Sequence, residues 1–238
     1  MIPRKIHYCW FGGNPLPAVA QDCIASWRRL MPDWEYCLWN EENFDVQRYQ
    51  YTREAHAAGY YAFVSDVARL EALANEGGIY LDVDFEVFKP FDDLLDNVAF
   101  AGFEGSKHLP VMMGVCGSQP HSLWVEEMLS AYRDLPFLID GKPDLTPNVT
   151  RLTALMHERG LVQNGQEQYY KDLHVFPVDW FCPRLTTGEY LRTGNTHCDH
   201  LGLDSWAGRP RGWKQWIGRI VGRKATTFLI KAKRRLIR

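Results

Sequence analysis

The chain has 238 residues, of which 46% are hydrophobic and 24% are charged. These proportions are ordinary for a globular protein with a sizeable core, and the length suits one elaborated domain. No run approaches the roughly 18 apolar residues that a membrane-spanning helix needs. The N-terminus lacks an apolar segment long enough for a secretion signal, so we expect a cytoplasmic protein with reduced cysteines.

Charge is distributed unevenly along the chain. Residues 1–204 contain 16 lysines and arginines against 29 aspartates and glutamates, whereas residues 205–238 contain 11 lysines and arginines and no acidic residue. The acidic first part argues against nucleic acid as a partner. We expect the basic C-terminal segment to contact a different partner from the rest of the chain.

The predicted elements alternate between strands and helices. β-Branched and aromatic residues indicate strands, apolar residues at helical spacing indicate helices, and Gly77 and Gly78 occupy the position that typically ends a helix. Such alternation predicts an α/β fold with helices around a largely parallel sheet. The predicted strands are 4–10, 34–39, 79–81, 85–88, 98–103 and 111–116, and the predicted helices are 17–30, 61–75, 121–133 and 147–159.

Two aspartates, Asp82 and Asp84, follow the glycine pair within a short apolar segment. Residues two apart on a strand share a face, so both carboxylates should point the same way and raise each other's pKa unless a cation lies beside them. Mg²⁺ and Mn²⁺ prefer oxygen ligands and link carboxylates to phosphates. The alternative is an exposed strand end with two solvated acids, which is the commoner meaning of an isolated Asp-x-Asp.

The preceding helix carries Asp66 and Arg69, which lie three residues apart and therefore on one face. The glycine pair returns the chain so that this face should pack near the two aspartates. One arginine and three aspartates near the C-terminal end of a strand indicate a ligand site. A salt bridge in the core between Arg69 and a carboxylate is the structural alternative.

Three segments, RKIHYCWFGG, SWRRLMPDWEYCLWNEENFD and AFVSDVARLEALANEGGIYLDVDFEVFKP, occur in this order. Together they resemble family 32 of the glycosyltransferases, the DXD-motif sugar transferases, and more distantly the glucosyltransferase domain of large clostridial toxins. The resemblance covers residues 2–104 well and 105–206 loosely. It implies a GT-A fold with a Rossmann-like sheet and a nucleotide-sugar donor, with a UDP-sugar favoured. It further implies a Mn²⁺ or Mg²⁺ ion and transfer with retention of anomeric configuration.

The resemblance also implies roles for single residues. Trp10 would stack on the nucleotide base, and Asp84 would be the direct metal ligand, joined by Asp82 and His200. Asp66, Arg69 and Asp82 would be the catalytic residues. The residues expected to bind the nucleotide sugar are Trp10, Gly12, Asp66, Arg69, Tyr80, Asp82, Ser205 and Trp206.

The second half matches the family less well. Relatives have a histidine-rich stretch ahead of Ser-Trp, and here either His197 or His200 could reach the metal or the phosphates, because one extra residue separates His200 from Ser205. His197, Cys198 and His200 could also suggest zinc, but a fourth ligand is missing. Residues 145–148 lack the usual Gly-Pro pair, so acceptor contacts cannot be carried over there.

The C-terminal segment has the pattern of a basic amphipathic helix. Trp213, Trp216, Ile217, Ile220 and Val221 fall on one helical face, with basic residues on the other. Such a helix is suited to lie on an anionic membrane surface. We therefore divide the chain into a catalytic domain, 1–206, and a membrane-associating segment, 207–238; a core-packed final helix and a nucleic-acid-binding segment are the alternatives.

These observations predict a cytoplasmic glycosyltransferase, peripheral to the inner face of the cell membrane. It would transfer a sugar to a glycan or glycolipid acceptor in the synthesis of a surface polysaccharide such as a capsule. A phosphatase of the DxD type is one alternative, although Phe85 and Glu86 replace its usual Gly-Thr. A glycosidase, which needs no metal, and a non-catalytic sugar- or membrane-binding module are the others.

Overall fold

The computed structural model describes residues 1–105 and 109–202, which contain eleven strands and six α-helices. The strands are β1 (Lys5–Cys9), β2 (Glu35–Trp39), β3 (Gly78–Leu81), β4 (Phe85–Val87), β5 (Ala99–Gly102), β6 (Val115–Ser118), β7 (Leu138–Ile139), β8 (Lys142–Pro143), β9 (Gln168–Tyr170), β10 (Leu173–Phe176) and β11 (Cys198–His200). The helices are α1 (Ala18–Leu30), α2 (Gln50–Ala57), α3 (Tyr61–Glu76), α4 (Leu123–Ser130), α5 (Asn148–Glu158) and α6 (Val178–Phe181).

Seven strands form the central sheet, in the order β2-β1-β3-β6-β5-β10-β9. β1 is parallel to β2 and β3, and β10 is parallel to β5. β6 is antiparallel to both of its neighbours, and β9 is antiparallel to β10. Five of the seven strands therefore run in one direction, and the predicted α/β fold with a mostly parallel sheet is confirmed.

The sheet separates two hydrophobic cores, because successive side chains on a strand point to opposite faces. Ile79 and Leu81 of β3 pack in one core, which α1 and β4 complete, whereas Tyr80 packs in the other with α2, α3, α4 and α5. β5 alternates in the same way, with Phe100 in the first core and Ala99 and Ala101 in the second. Strands buried on both faces account for the continuous apolar runs in the sequence.

Helix α3 is the element that links the sequence pattern to the site. Its buried face contains Val67, Leu70 and Leu73, and the helix ends at Glu76. Gly77 follows with φ +63°, and a Cβ atom there would lie 2.6 Å from the ring of Pro120. The predicted glycine stop is confirmed, and it returns the chain into β3 alongside β1.

Other predicted elements differ from the structure. The strand expected over 111–116 begins only at Val115, since Val111 forms an isolated bridge with Phe103. Helix α2, the β7–β8 hairpin and strands β9 to β11 were not predicted.

The C-terminal part is only partly described. Residues 1–203 form one compact unit, and the amphipathic segment lies outside the described residues, so the domain boundary at 206 stays a prediction. Within the part of the chain that the structure describes, no helix has the length and apolarity to cross a membrane.

Candidate functional site

The two aspartates lie in a turn rather than in a strand. β3 ends at Leu81, where the Asp82 amide donates to the Gly114 carbonyl at 2.7 Å, and the Phe85 amide then donates back to the Asp82 carbonyl at 3.1 Å. The prediction that Asp82 and Asp84 share one face of a strand is wrong, because a turn follows Leu81 and the strand does not continue through these residues. Both residues nevertheless lie at the carboxyl end of β3, where ligands of α/β sheets bind.

Neighbouring elements fix the backbone of this turn. The indole N–H of Trp27 in α1 donates to the Phe85 carbonyl at 2.7 Å, and the amide of Val87 donates to the Ser26 hydroxyl at 3.0 Å. The Leu201 amide donates to the Asp84 carbonyl at 2.9 Å. Helix α1 and the segment after β11 therefore hold the turn from two directions.

Arg69 joins two of the predicted aspartates. Its Nη2 lies 3.0 Å from Asp66 Oδ1, its Nη1 lies 3.4 Å from Asp82 Oδ2, and Nη1 also donates to the Met113 carbonyl at 2.8 Å. Burial raises the pKa of Asp66 to about 7 although the Arg69 charge opposes this rise. Burial likewise raises the pKa of Asp82 against the effect of Arg69. The salt bridge considered as an alternative thus exists, and it lies at the ligand edge of the sheet.

Tyr80 and Asn148 donate hydrogen bonds to the two carboxylates of this salt bridge. The Tyr80 hydroxyl donates to Asp82 Oδ1 at 2.7 Å, and its ring packs 4.5 Å from the Arg69 guanidinium carbon. Tyr80 is almost fully buried, and its contacts are with Asp82 and Arg69. Its predicted contact with the nucleotide sugar stays a prediction. The Asn148 side chain, at the start of α5, donates to Asp66 Oδ1 at 2.7 Å. Asn148 was not predicted as a site residue, because only its place at the start of the predicted helix 147–159 could be read from the sequence.

His200 is the histidine that reaches the aspartate turn. Its Nε2 lies 3.1 Å from Asp84 Oδ2, and its ring stacks on Phe85 with centroids 4.7 Å apart. Burial works against protonation, but the bond to Asp84 and the nearby acidic charges outweigh it and raise the pKa of His200 to about 9. This direction favours the protonated imidazole beside Asp84.

His197 has a different environment. It is fully buried, its Nε2 lies 2.9 Å from Asp93 Oδ1, and its ring stacks between Phe91 and Trp180. The two histidines thus contact different carboxylates, and nothing in their contacts assembles a zinc site with Cys198. His200, and not His197, lies beside Asp84; which of the two reaches the metal or the phosphates stays a prediction.

The carboxylates fit a divalent cation by their chemistry. Among the described residues, the trio of possible ligands with atoms within 4.8 Å of one another is His7, Cys37 and Glu76 rather than the predicted Asp82, Asp84 and His200. Both ring nitrogens of His7 are already bonded, one to the Gly77 carbonyl and one to the Trp39 indole N–H, so that trio lacks a free imidazole ligand. Mg²⁺ needs only one or two protein carboxylates when phosphates complete its shell, which Asp84 and Asp82 can supply.

Trp10 and Gly12 follow β1 at the same edge of the sheet. Trp10 is half-buried, and its indole N–H donates to the Asn14 carbonyl. Gly12 has φ +93°, and a Cβ atom there would lie 2.4 Å from the Tyr61 ring, so the bare backbone admits this side chain. The Gly12 amide donates to Glu41 at 2.6 Å. Ser205 and Trp206 lie outside the described residues, so their predicted roles stay predictions.

Comparison with known proteins gives a family match for part of the chain. Residues 17–101 match the family described as glycosyltransferase sugar-binding region containing DXD motif. Over these residues the resemblance predicted from the sequence is confirmed.

Two curated fungal relatives show how far this match extends. Inositol phosphoceramide mannosyltransferase 1 of Schizosaccharomyces pombe is 34% identical over 106 residues, which are 42% of this chain and 33% of that protein. Glucan organizing enzyme 1 of Cryptococcus neoformans is 41% identical over 81 residues, which are 31% of this chain and 22% of that protein. The chain thus matches a third or less of the length of these relatives.

Solved glycosyltransferases also resemble the chain. A glycosyltransferase involved in glycosylation of the major capsid of PBCV-1 is 13% identical, with a TM-score of 0.47. The match covers 85% of this chain and 95% of that protein. Mouse xyloside xylosyltransferase 1 is 13% identical, with a TM-score of 0.46. The match covers 84% of this chain and 98% of that protein.

We predict that Trp10→Ala weakens binding of a free nucleoside diphosphate. Loss of a base-stacking aromatic ring typically costs about 1–3 kcal/mol, which corresponds to a roughly 5- to 150-fold rise in Kd. Calorimetric titration with UDP and Mn²⁺ measures this change. Trp180→Ala is the control, since Trp180 is also half-buried but packs on Phe176 and His197. Unchanged UDP affinity in Trp10→Ala would show that the ring only fills space.

Proposed function

We propose that the protein is a metal-dependent glycosyltransferase that moves a sugar from a nucleotide-sugar donor to a hydroxyl of a glycan or glycolipid. The observation that carries this proposal is the group of charged side chains at the carboxyl end of β3. Arg69 lies between Asp66 and Asp82 there, and Asp84 faces His200. The match of residues 17–101 to the DXD family supports the same reaction class.

The proposed roles follow from the charges. A Mn²⁺ or Mg²⁺ ion held by Asp84 and Asp82 would neutralise the diphosphate leaving group when bound. Arg69 would orient the donor, because its guanidinium is fixed by Asp66 and by the Met113 carbonyl. The His200 imidazole hydrogen-bonds Asp84. When the ion binds Asp84, this bond would break, and the imidazole would be free to turn toward a phosphate.

Stereochemistry, donor and acceptor belong to the proposal as well. We infer retention of anomeric configuration, through a front-face displacement, from the family resemblance. A UDP-sugar is the favoured donor. One relative is an inositol phosphoceramide mannosyltransferase, which supports a mannose donor as a second candidate and a glycolipid as an acceptor class.

A panel of nucleotide sugars tests the proposed function. We expect a UDP-sugar or GDP-mannose to raise the melting temperature and to be hydrolysed slowly, in both cases only with Mn²⁺ or Mg²⁺ and not after EDTA treatment. Hydrolysis of p-nitrophenyl phosphate would favour the phosphatase, and metal-independent cleavage of a nitrophenyl glycoside would favour the glycosidase. Binding of nucleotide sugar without any turnover would favour the non-catalytic module.

We further propose that residues 207–238 bind the anionic inner face of the cell membrane and bring the catalytic domain to a lipid-linked acceptor. Eleven basic residues without acidic ones in 205–238, together with the two tryptophans of the predicted helix, support this localisation.

Deleting residues 209–238 is predicted to abolish binding to vesicles that contain phosphatidylserine. The deletion removes all eleven basic residues of the C-terminal segment, so the electrostatic attraction that salt would otherwise screen is lost. Sedimentation with vesicles at two salt concentrations measures the effect, and nucleotide-sugar hydrolysis is the internal control. Persistent vesicle binding by the truncated chain would place the membrane contact elsewhere, and loss of the fold would make the segment part of the core.

A further inference from the structure

Glu104 is an acidic residue of the ligand edge that neither the sequence motifs nor the family resemblance indicated. It follows β5, and its amide donates to the Pro110 carbonyl at 2.8 Å, beyond the bridge between Phe103 and Val111. β5 runs in the same direction as β1 and β3, because the antiparallel β6 lies between β3 and β5. The carboxyl ends of β1, β3 and β5 therefore present Trp10, Asp82 and Glu104 at one edge of the sheet.

Hydrogen bonds through residues 110–114 connect the end of β5 to the aspartate turn. The Met112 amide donates to the Gly102 carbonyl at 2.7 Å, and the Asp82 amide donates to the Gly114 carbonyl at 2.7 Å. Burial in this region raises the pKa of Glu104. Glu104 is half-buried, and its carboxylate has no hydrogen bond to any residue in 1–105 or 109–202. Arg69, in contrast, bonds to Asp66, Asp82 and the Met113 carbonyl.

We propose that Glu104 is a catalytic residue that accepts the hydrogen bond, and then the proton, of the attacking hydroxyl. This inference rests on the proposed transferase function. A half-buried carboxylate that no protein group bonds is able to accept a hydrogen bond from a ligand, and a hydroxyl is the donor that a sugar acceptor or a water molecule brings.

The step balances within these groups. The oxygen of the attacking hydroxyl bonds to the anomeric carbon on the face from which the diphosphate departs, while its proton passes to the Glu104 carboxylate. The bond between that carbon and the diphosphate oxygen breaks, and its electron pair leaves with the diphosphate. Glu104 later releases the proton to water. Since water can replace the acceptor, slow hydrolysis of the nucleotide sugar uses the same residue.

Glu104→Gln tests the proposal, because it preserves shape and removes the proton acceptor. With the full chain, Mn²⁺ and whichever of UDP-glucose, UDP-galactose and GDP-mannose the wild type hydrolyses, we expect kcat to fall by about 100-fold or more. We expect Kd for the same nucleotide sugar to stay within about threefold, since a group that acts only in the transition state contributes little to ground-state binding. Glu158→Gln, an exposed position on α5, is the charge-matched control and should retain wild-type turnover.

Glu104→Asp adds a second measurement, since it keeps the carboxylate but withdraws it. We expect turnover between that of wild type and that of Glu104→Gln, at unchanged Kd. Wild-type turnover in Glu104→Gln, or a parallel loss of nucleotide-sugar binding in both variants, would overturn the role of Glu104 while the transferase function stands. A wild-type protein that neither binds nor hydrolyses any of the three nucleotide sugars would overturn the proposed function and this inference together.

Discussion

Asp84→Ala should abolish sugar transfer and metal-dependent binding of the nucleotide sugar while the protein stays folded. Asp84 carries the carboxylate expected to ligate the metal, so its loss removes a charged ligand that His200 cannot replace. The fold should survive because the change relieves the repulsion between Asp82 and Asp84. Turnover with Mn²⁺, together with thermal unfolding, measures both effects, and we expect turnover to fall below detection.

Glu86→Ala is the matched control for this variant. Glu86 lies two residues further along, in β4, but its side chain is exposed, so the same loss of charge should leave turnover unchanged. Near wild-type turnover in Asp84→Ala, with Mn²⁺ still required, would mean that the ion binds without this carboxylate.

Arg69→Met should lower the free energy of unfolding by about 3–5 kcal/mol, because it leaves two acids of a buried ion-pair network without their cation. Asp66 is only 8% exposed and Arg69 only 5%, so water cannot replace the missing charge. Urea denaturation measures the change. Arg4→Met is the control, since the Arg4–Asp92 pair is exposed and should contribute less than about 1 kcal/mol.

A second substitution separates the charge effect from lost packing. In Arg69→Met/Asp66→Asn, the unpaired buried carboxylate becomes a neutral amide, so part of the lost stability should return. If the double variant is less stable than Arg69→Met by the full cost of Asp66→Asn alone, the two residues do not interact and Arg69 acts through packing.

Much of the fold could be predicted because the elements of the first half carry strong local signals. Helix α3 combines an apolar face with a glycine pair at its end, and β1, β2 and β3 are short apolar runs, so these elements begin and end close to the predicted positions. The approach of Asp66 and Arg69 to Asp82 followed from helical spacing and from the return of the chain after Gly77.

The remaining features depend on contacts between distant segments. The turn at Asp82 forms because Gly114, some thirty residues later, accepts its amide hydrogen bond, and no local pattern encodes this partner. β11 pairs with β4 from more than one hundred residues away, and this pairing brings His200 beside Asp84. Asn148 likewise bonds Asp66 from helix α5, 82 residues further along the chain. Glu104 lies at the same sheet edge because of the strand order, which the sequence did not reveal.

The fixed backbone of the aspartate turn has a thermodynamic consequence for ligand binding. The Asp82 and Phe85 amides and the Asp84 and Phe85 carbonyls are all hydrogen-bonded within the protein before any ion or nucleotide arrives. A ligand therefore orders side chains rather than a loop, and the entropy lost on binding is confined to a few rotatable bonds. Substituting Trp27, which is fully buried, would restore freedom to this turn and weaken ion binding without changing a carboxylate.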